Sequence, residues 1–143
     1  MKKILLAMML LLGSLVSNVN ASSGDNVYIL FAKTSSQDKK IIESLKENII
    51  YTLVDNGVKD KNIIELKKKD ATPKSGTLLT IKYVKKDTGV KRKLTVAYAI
   101  TNLSTGKELD SGKKEKNILF GGFTKLCIFL GGVLADTILE VKE

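Results

Sequence analysis

The chain has 143 residues, with 24 basic and 15 acidic side chains, no histidine and one cysteine, Cys127. Without histidine the commonest general base, the serine–histidine pairings and most zinc sites are gone. A single cysteine makes neither an internal disulfide nor a metal cluster, so stability has to come from an apolar core.

The first stretch, MKKILLAMMLLLGSLVSNVNA (1–21), joins two lysines, an apolar run from Ile4 to Leu12, and the small residues Val19 and Ala21. This is the pattern of a secretory signal peptide cleaved after Ala21, and its apolar run is short for a membrane span. No cysteine lies near the cleavage point, so the pattern carries no lipid-attachment site. Residues 22–143 then form one domain of 122 residues, periplasmic or secreted, with 22 basic and 15 acidic side chains and a net charge of +7. Arg92 is the only arginine. A composition so rich in lysine, isoleucine and asparagine reflects nucleotide bias as readily as a binding role.

"VYILFAK" (27–33) reads as a buried strand, β-branched and aromatic between turn formers. Ser35 or Ser36 can then cap a helix, with Asp38 in its first turn. Ile41, Ile42, Leu45, Ile49, Leu53 and Val54 recur at helical spacing and predict one apolar stripe, with charged residues on the other faces. "DNGV" ends that helix: Gly57 takes the left-handed conformation and Val58 folds back on the last turn. "NIIEL" (62–66) is a second short strand, and strand–helix–strand predicts a parallel pair.

A charged loop with the only proline, Pro73, leads into "TLLTIKYVKK" (77–86), whose alternation puts Leu79, Ile81 and Tyr83 on one face. After the turn "DTG", "KRKLTVAYAITNL" (91–103) points Leu94, Val96, Tyr98 and Ile100 one way and Thr95, Ala97 and Ala99 the other. "KELDSGKKEK" (107–116) supplies a polar edge strand whose lysines discourage edge-to-edge pairing. The fold class is therefore α+β: a single mixed sheet in the order β-α-β-β-β-β-α, with two helices covering one face.

The closing segment, NILFGGFTKLCIFLGGVLADTILEV (117–141), raises the question of a membrane span. Its Leu, Ile, Phe and Val residues favour insertion by about 0.3–0.6 kcal/mol each, and a central lysine such as Lys125 opposes it by about 2.5–3.5 kcal/mol. With Asp136 and four glycines the sum lies near zero. Charge distribution decides against a span: Lys113, Lys114 and Lys116 precede the segment, whereas a stop-transfer helix behind a signal peptide carries its positive charge after it. Phe123, Cys127, Leu130, Leu134, Ile138 and Val141 fall on one helical stripe, so the segment reads as a core helix with Cys127 buried as a small hydrophobe. Gly121 and Gly122 read as a hinge before it. Gly131 and Gly132 lie inside it, at about 1 kcal/mol each relative to alanine. Such glycines call for close approach to the sheet, a break into two helices, or a helix–helix contact of small-residue type; close packing is the expected reason, with self-association or membrane contact as the alternatives.

Little else carries chemistry. The acids fall mostly in loops, turns and exposed faces, and "LFGGF" and "FLGGVL" lack the GK[ST] ending of a phosphate loop. The expectation is a protein that is not an enzyme and has no cofactor or metal. The hairpin "YVKKDTGVKRKL" gathers Lys85, Lys86, Lys91, Arg92 and Lys93 around a single acid, Asp87. Outside the cytoplasm this knuckle could meet an anionic envelope polymer or lipid headgroups, each lysine adding about 1 kcal/mol. The plain alternative is a solvated turn. Nucleic acid is not expected as a partner, given the leader and the lack of stacking aromatics.

At "LTVAYAITNLSTGKELDSG", followed by the glycine-bearing segment and "LADTILEV", the chain resembles small bacterial envelope domains. It is similar in outline to those of the curli-secretion lipoprotein and the penicillin-binding-protein activators. The resemblance covers residues 77–141 and implies an envelope assembly or accessory role without catalysis. The lipid-bearing cysteine of many such proteins is missing here, and no functional residue carries over.

The expected function is a non-catalytic exported binding or accessory module of the bacterial cell envelope, with an envelope protein or anionic polymer as partner. Contact with a membrane surface and homo-oligomer formation stay open. The alternative is a membrane-inserted protein using residues 117–141. A hydrolase would require two acids about 5–9 Å apart in one cleft.

Overall fold

The computed structural model describes residues 26–32 and 39–142. The expected leader and the capping residues Ser35, Ser36 and Asp38 lie outside them. The elements are β1 (Val27–Phe31), α1 (Lys39–Asp55), a 3-10 turn (Asp60–Asn62), β2 (Ile63–Leu66), β3 (Thr77–Asp87), β4 (Arg92–Asn102), β5 (Lys107–Ile118) and α2 (Phe123–Val141). They form one five-stranded sheet in the order β2-β1-β3-β4-β5. β1 pairs in parallel with both β2 and β3, and β3, β4 and β5 form an antiparallel meander.

α1 buries Leu45, Ile49 and Leu53 completely, with Ile41, Ile42 and Ile50 partly buried beside them. Val54 departs from the expected stripe: one position past Leu53 it has turned away from the sheet and is 43% exposed. The helix ends as the sequence predicts. The Val58 N–H donates to the Leu53 carbonyl (3.0 Å) and the Gly57 N–H to that of Val54 (3.0 Å), with Gly57 at φ +100°. Lys46 then ties α1 to β2, its Nζ lying 2.8 Å from Glu43 and 3.0 Å from Glu65.

The expected alternation holds on β4, where Leu94, Val96, Tyr98 and Ile100 all face the helices and are buried. It fails in the middle of β3. The pairing shifts between Ile81 and Tyr83, so Tyr83 lands opposite Ala97 and Val84 opposite Val96. One extra residue in a strand moves everything after it to the other face. Tyr83 therefore lies on the face away from the helices, and Val84 packs on the core in its place.

α2 buries Leu126, Cys127, Leu130, Gly131, Leu134, Ala135, Thr137 and Ile138. That arc is wider than one stripe because the helix packs on two neighbours, the sheet and α1. The two helices run in the same direction, with Cys127 beside Ile41, Gly131 beside Asn48 and Gly132 beside Thr52. A Cβ on Gly131 would stand 2.6 Å from Asn48 Cβ and 3.1 Å from backbone atoms of Asn48 and Ile49. The close approach is therefore to α1, and only glycine permits it. Gly132 has ordinary room, 3.8 Å from Thr52 Oγ1. Among the described residues no helix is long and apolar enough to cross a membrane. Each fully buried leucine or isoleucine contributes about 1.5–3 kcal/mol, so the core accounts for the buried stripe of α2, whereas Leu119, Phe120, Ile128 and Phe129 of the same segment stay exposed.

Candidate functional site: the basic end of the sheet

β3 ends, β4 begins and β5 ends at one edge of the molecule, since Asp87 pairs with Lys93 and Arg92 with Ile118. α2 starts there too. The five basic residues singled out in the hairpin divide by strand face. Lys86 and Arg92 lie on the helix side, Lys85 and Lys93 on the opposite side, and Lys91 in the exposed turn.

Their surroundings differ. Asp87 Oδ1 accepts the Gly89 N–H at 3.1 Å, so the hairpin's acid is used to shape the turn. Lys93 pairs with Glu115 at 3.5 Å, a half-exposed contact worth little. Lys86 Nζ stands 5.6 Å from the centre of the Phe123 ring. Arg92 donates from Nη1 to the Gly121 carbonyl at 2.6 Å, fastening the β5–α2 connection to β4. Among the described residues no acid lies within ion-pair distance of Lys85 or Lys91.

Of the four glycines singled out, Gly121 and Gly122 belong to this end, while Gly131 and Gly132 lie on the α1–α2 contact. Gly121 has φ +115°, a backbone angle that side chains rarely adopt, and lets the chain turn from β5 into α2. Gly122 is the residue before the helix.

Sequence reasoning did not single out Val90, Leu119 and Phe120. They are 94%, 54% and 79% exposed, and they project from the two loops that Arg92 holds together. Phe120 was hidden in the sequence because it stands at the head of an apolar run and reads as part of it. Lys116 and Lys125 border the same end, Lys116 Nζ lying 4.5 Å from the Phe129 ring centre and the Lys125 stem packing by Gly121.

Beside this end a groove of about 200 Å³ opens between the helix starts, lined by Lys40, Ile41, Ser44, Phe123, Thr124 and Cys127. Burial pushes the Cys127 thiol up, against a smaller opposing effect of Ser44, and its Sγ donates a long 3.6 Å contact to the Ile41 carbonyl. A buried thiol raised in this way is a poor nucleophile.

Two other polar arrangements bear on chemistry. Glu43 and Glu65 are brought together through Lys46, but both are about half exposed and the ammonium stands between them. Burial alone would lower the Lys46 pKa, yet its hydrogen bonds to Glu43 and Glu65 and their charges outweigh that and raise it. Tyr98 donates to Asp110 Oδ2 at 2.8 Å, and burial together with that carboxylate pushes its hydroxyl up to about 12. Among the described residues no group of three or more His, Cys, Asp or Glu could hold a metal ion.

Comparison of the whole chain with solved structures finds this strand and helix arrangement in PelC from Paraburkholderia phytofirmans. A single-substitution variant of PelC, solved as a dodecamer, aligns with a TM-score of 0.56 at 16% identity, covering 85% of this chain and 90% of that one. The chain shares the PelC fold. A second PelC dodecamer aligns at 0.55 with 18% identity, over 79% of this chain and 86% of PelC. A minor lipoprotein from Acinetobacter baumannii is a looser match, at 0.46 and 12% identity, covering 80% and 88%. No family model and no curated protein matches the sequence. At such identities the likeness to PelC establishes the fold and carries over no residue role.

Proposed function

We propose that the protein is an exported, non-catalytic accessory module of the bacterial cell envelope that works as a homo-oligomer. The observation that carries this reading is the fold shared with PelC, a protein solved twice as a dodecamer. The signal-peptide pattern of residues 1–21 supports export, and the lack of any described helix able to cross a membrane speaks against an integral alternative. The basic end, with Lys85, Lys86, Lys91, Arg92 and Lys93, is the surface through which the module meets anionic envelope material. The plain alternative for those residues is a solvated turn, and a salt-insensitive partner profile would favour it.

Two measurements test the reading. The full-length sequence, expressed in a bacterial host, yields processed protein released by osmotic shock, with its mass reduced by cleavage after Ala21. Native mass spectrometry of that protein gives a closed assembly of many copies. Retention in the cytoplasm removes the export claim, and a monomer throughout the micromolar range removes the assembly claim.

A further inference from the structure

The hairpin charge was legible in the sequence, but the fold adds an apolar tip to it. Val90 stands at the apex of the β3–β4 turn, where glycine, asparagine or aspartate is usual, and is 94% exposed. Leu119 and Phe120 stand on the next loop, and the Arg92–Gly121 hydrogen bond joins the two loops. Such large side chains at the most exposed points of two adjoining loops contribute nothing to the core. Convex placement argues against a small-molecule pocket, which encloses its ligand.

The charges around the tip complete the pattern. Lys86 and Lys116 hold their ammonium groups over the Phe123 and Phe129 rings, at 5.6 and 4.5 Å from the ring centres, so positive charge lies directly beside aromatic surface at this end. Lys125 sits in the first turn of α2, which has no acid, although the helix dipole favours acids there. Among the described residues at this end of the adjoining strands the acids are Asp87, used by its turn, and Glu115, paired with Lys93; Glu108 and Asp110 lie at the far end of β5. An anionic polymer would use the cations and leave the three apolar side chains in water. A bilayer surface with anionic headgroups uses both.

We propose that this end of the sheet is a lipid-docking tip: Val90, Leu119 and Phe120 enter the headgroup boundary of a bilayer containing anionic phospholipid, and the lysines around them contact its phosphates. The inference deepens the reading of the basic end and rests on the export reading only for which leaflet it meets. Insertion is shallow, as for other interfacial anchors, and its strength is the sum of buried apolar area and charge attraction.

The chain has no tryptophan, so Phe120→Trp places a single reporter at the tip, and Tyr51→Trp on α1 provides a control away from it. Protein purified after expression of the full-length sequence is mixed with phosphatidylcholine vesicles, with and without phosphatidylglycerol. The tip reporter's emission shifts to the blue only with phosphatidylglycerol, the shift falls with added salt, and the control stays silent. Phe120→Ser weakens co-sedimentation about tenfold, and Lys91→Gln or Lys125→Gln about fivefold each. A silent tip reporter, or equal shifts with both vesicles, overturns the proposal. So does vesicle binding without a shift, which is charge attraction alone. A shift on raising the protein concentration without vesicles also overturns it, since a second copy then covers the tip. Failure of export in cells, with vesicle binding intact, removes the envelope reading and leaves this one standing.

Discussion

The two faces of the sheet are built differently. The face under the helices is filled with large aliphatic side chains, and Ile29, Leu79, Ile81, Leu94 and Ile100 are completely buried there. The opposite face carries Thr95, Ala97 and Ala99 on β4, and among the described residues no helix lies over it. These small residues are nonetheless 7%, 4% and 7% exposed. Longer neighbours on the flanking strands shield them: Ala97 lies between Tyr83 and Lys113 in the pairing, and Lys113 Nζ is 5.9 Å from the Tyr83 ring centre. One face takes its stability from shape-matched packing, the other from amphipathic side chains lying over small ones. The first tolerates little change. The second can vary with its partner.

The sharpest way to break this contrast is a matched pair of truncations. Leu130→Ala, on the covered side, costs about 2–5 kcal/mol, whereas Leu78→Ala, half-buried on the open face, costs under about 1.5 kcal/mol. Urea unfolding at one protein concentration measures both, and equal losses would mean that the open face is packed as tightly as the other. The adjacent glycines of α2 give opposite signs. Gly132→Ala gains up to about 1 kcal/mol from helix propensity. Gly131→Ala forces α1 and α2 apart and loses about 1–3 kcal/mol despite the same propensity gain. Two gains would show that the helices separate freely.

The smallest effect is a pH dependence at the edge of the covered face. Tyr98 holds its proton to about 12 in the fold against an ordinary value of 10.0. The folded state therefore binds that proton more tightly than the unfolded chain. The stability it brings is complete below pH 10 and is lost as pH rises toward 12. Lys46, also raised, adds to the same decline. Denaturation midpoints followed through that window fall in the wild type and fall less in Tyr98→Phe; parallel curves would remove Tyr98 from the account.

The sequence carried the element order, the α2 boundaries and the glycine stop of α1, because each rests on local spacing or turn chemistry. What it did not carry depends on pairing. The bulge after Ile81 leaves no local mark, so Tyr83 was placed on the wrong face. The division of α2 between sheet and α1 needs the second helix in place, and so does the reason for Gly131. The basic half of the candidate site was visible as a run of charges. Its apolar half was not, because Arg92 and Gly121 are 29 residues apart and only the β4–β5 register brings their loops together.

The parallel course of α1 and α2 has an electrical consequence. Both helices begin near the end that holds the β3–β4 turn, so the partial positive charges of their amino termini add to the lysines there. The molecule's field is thus lopsided along its length. Near any negatively charged boundary it feels a torque before it touches, and it arrives already pointing the right way.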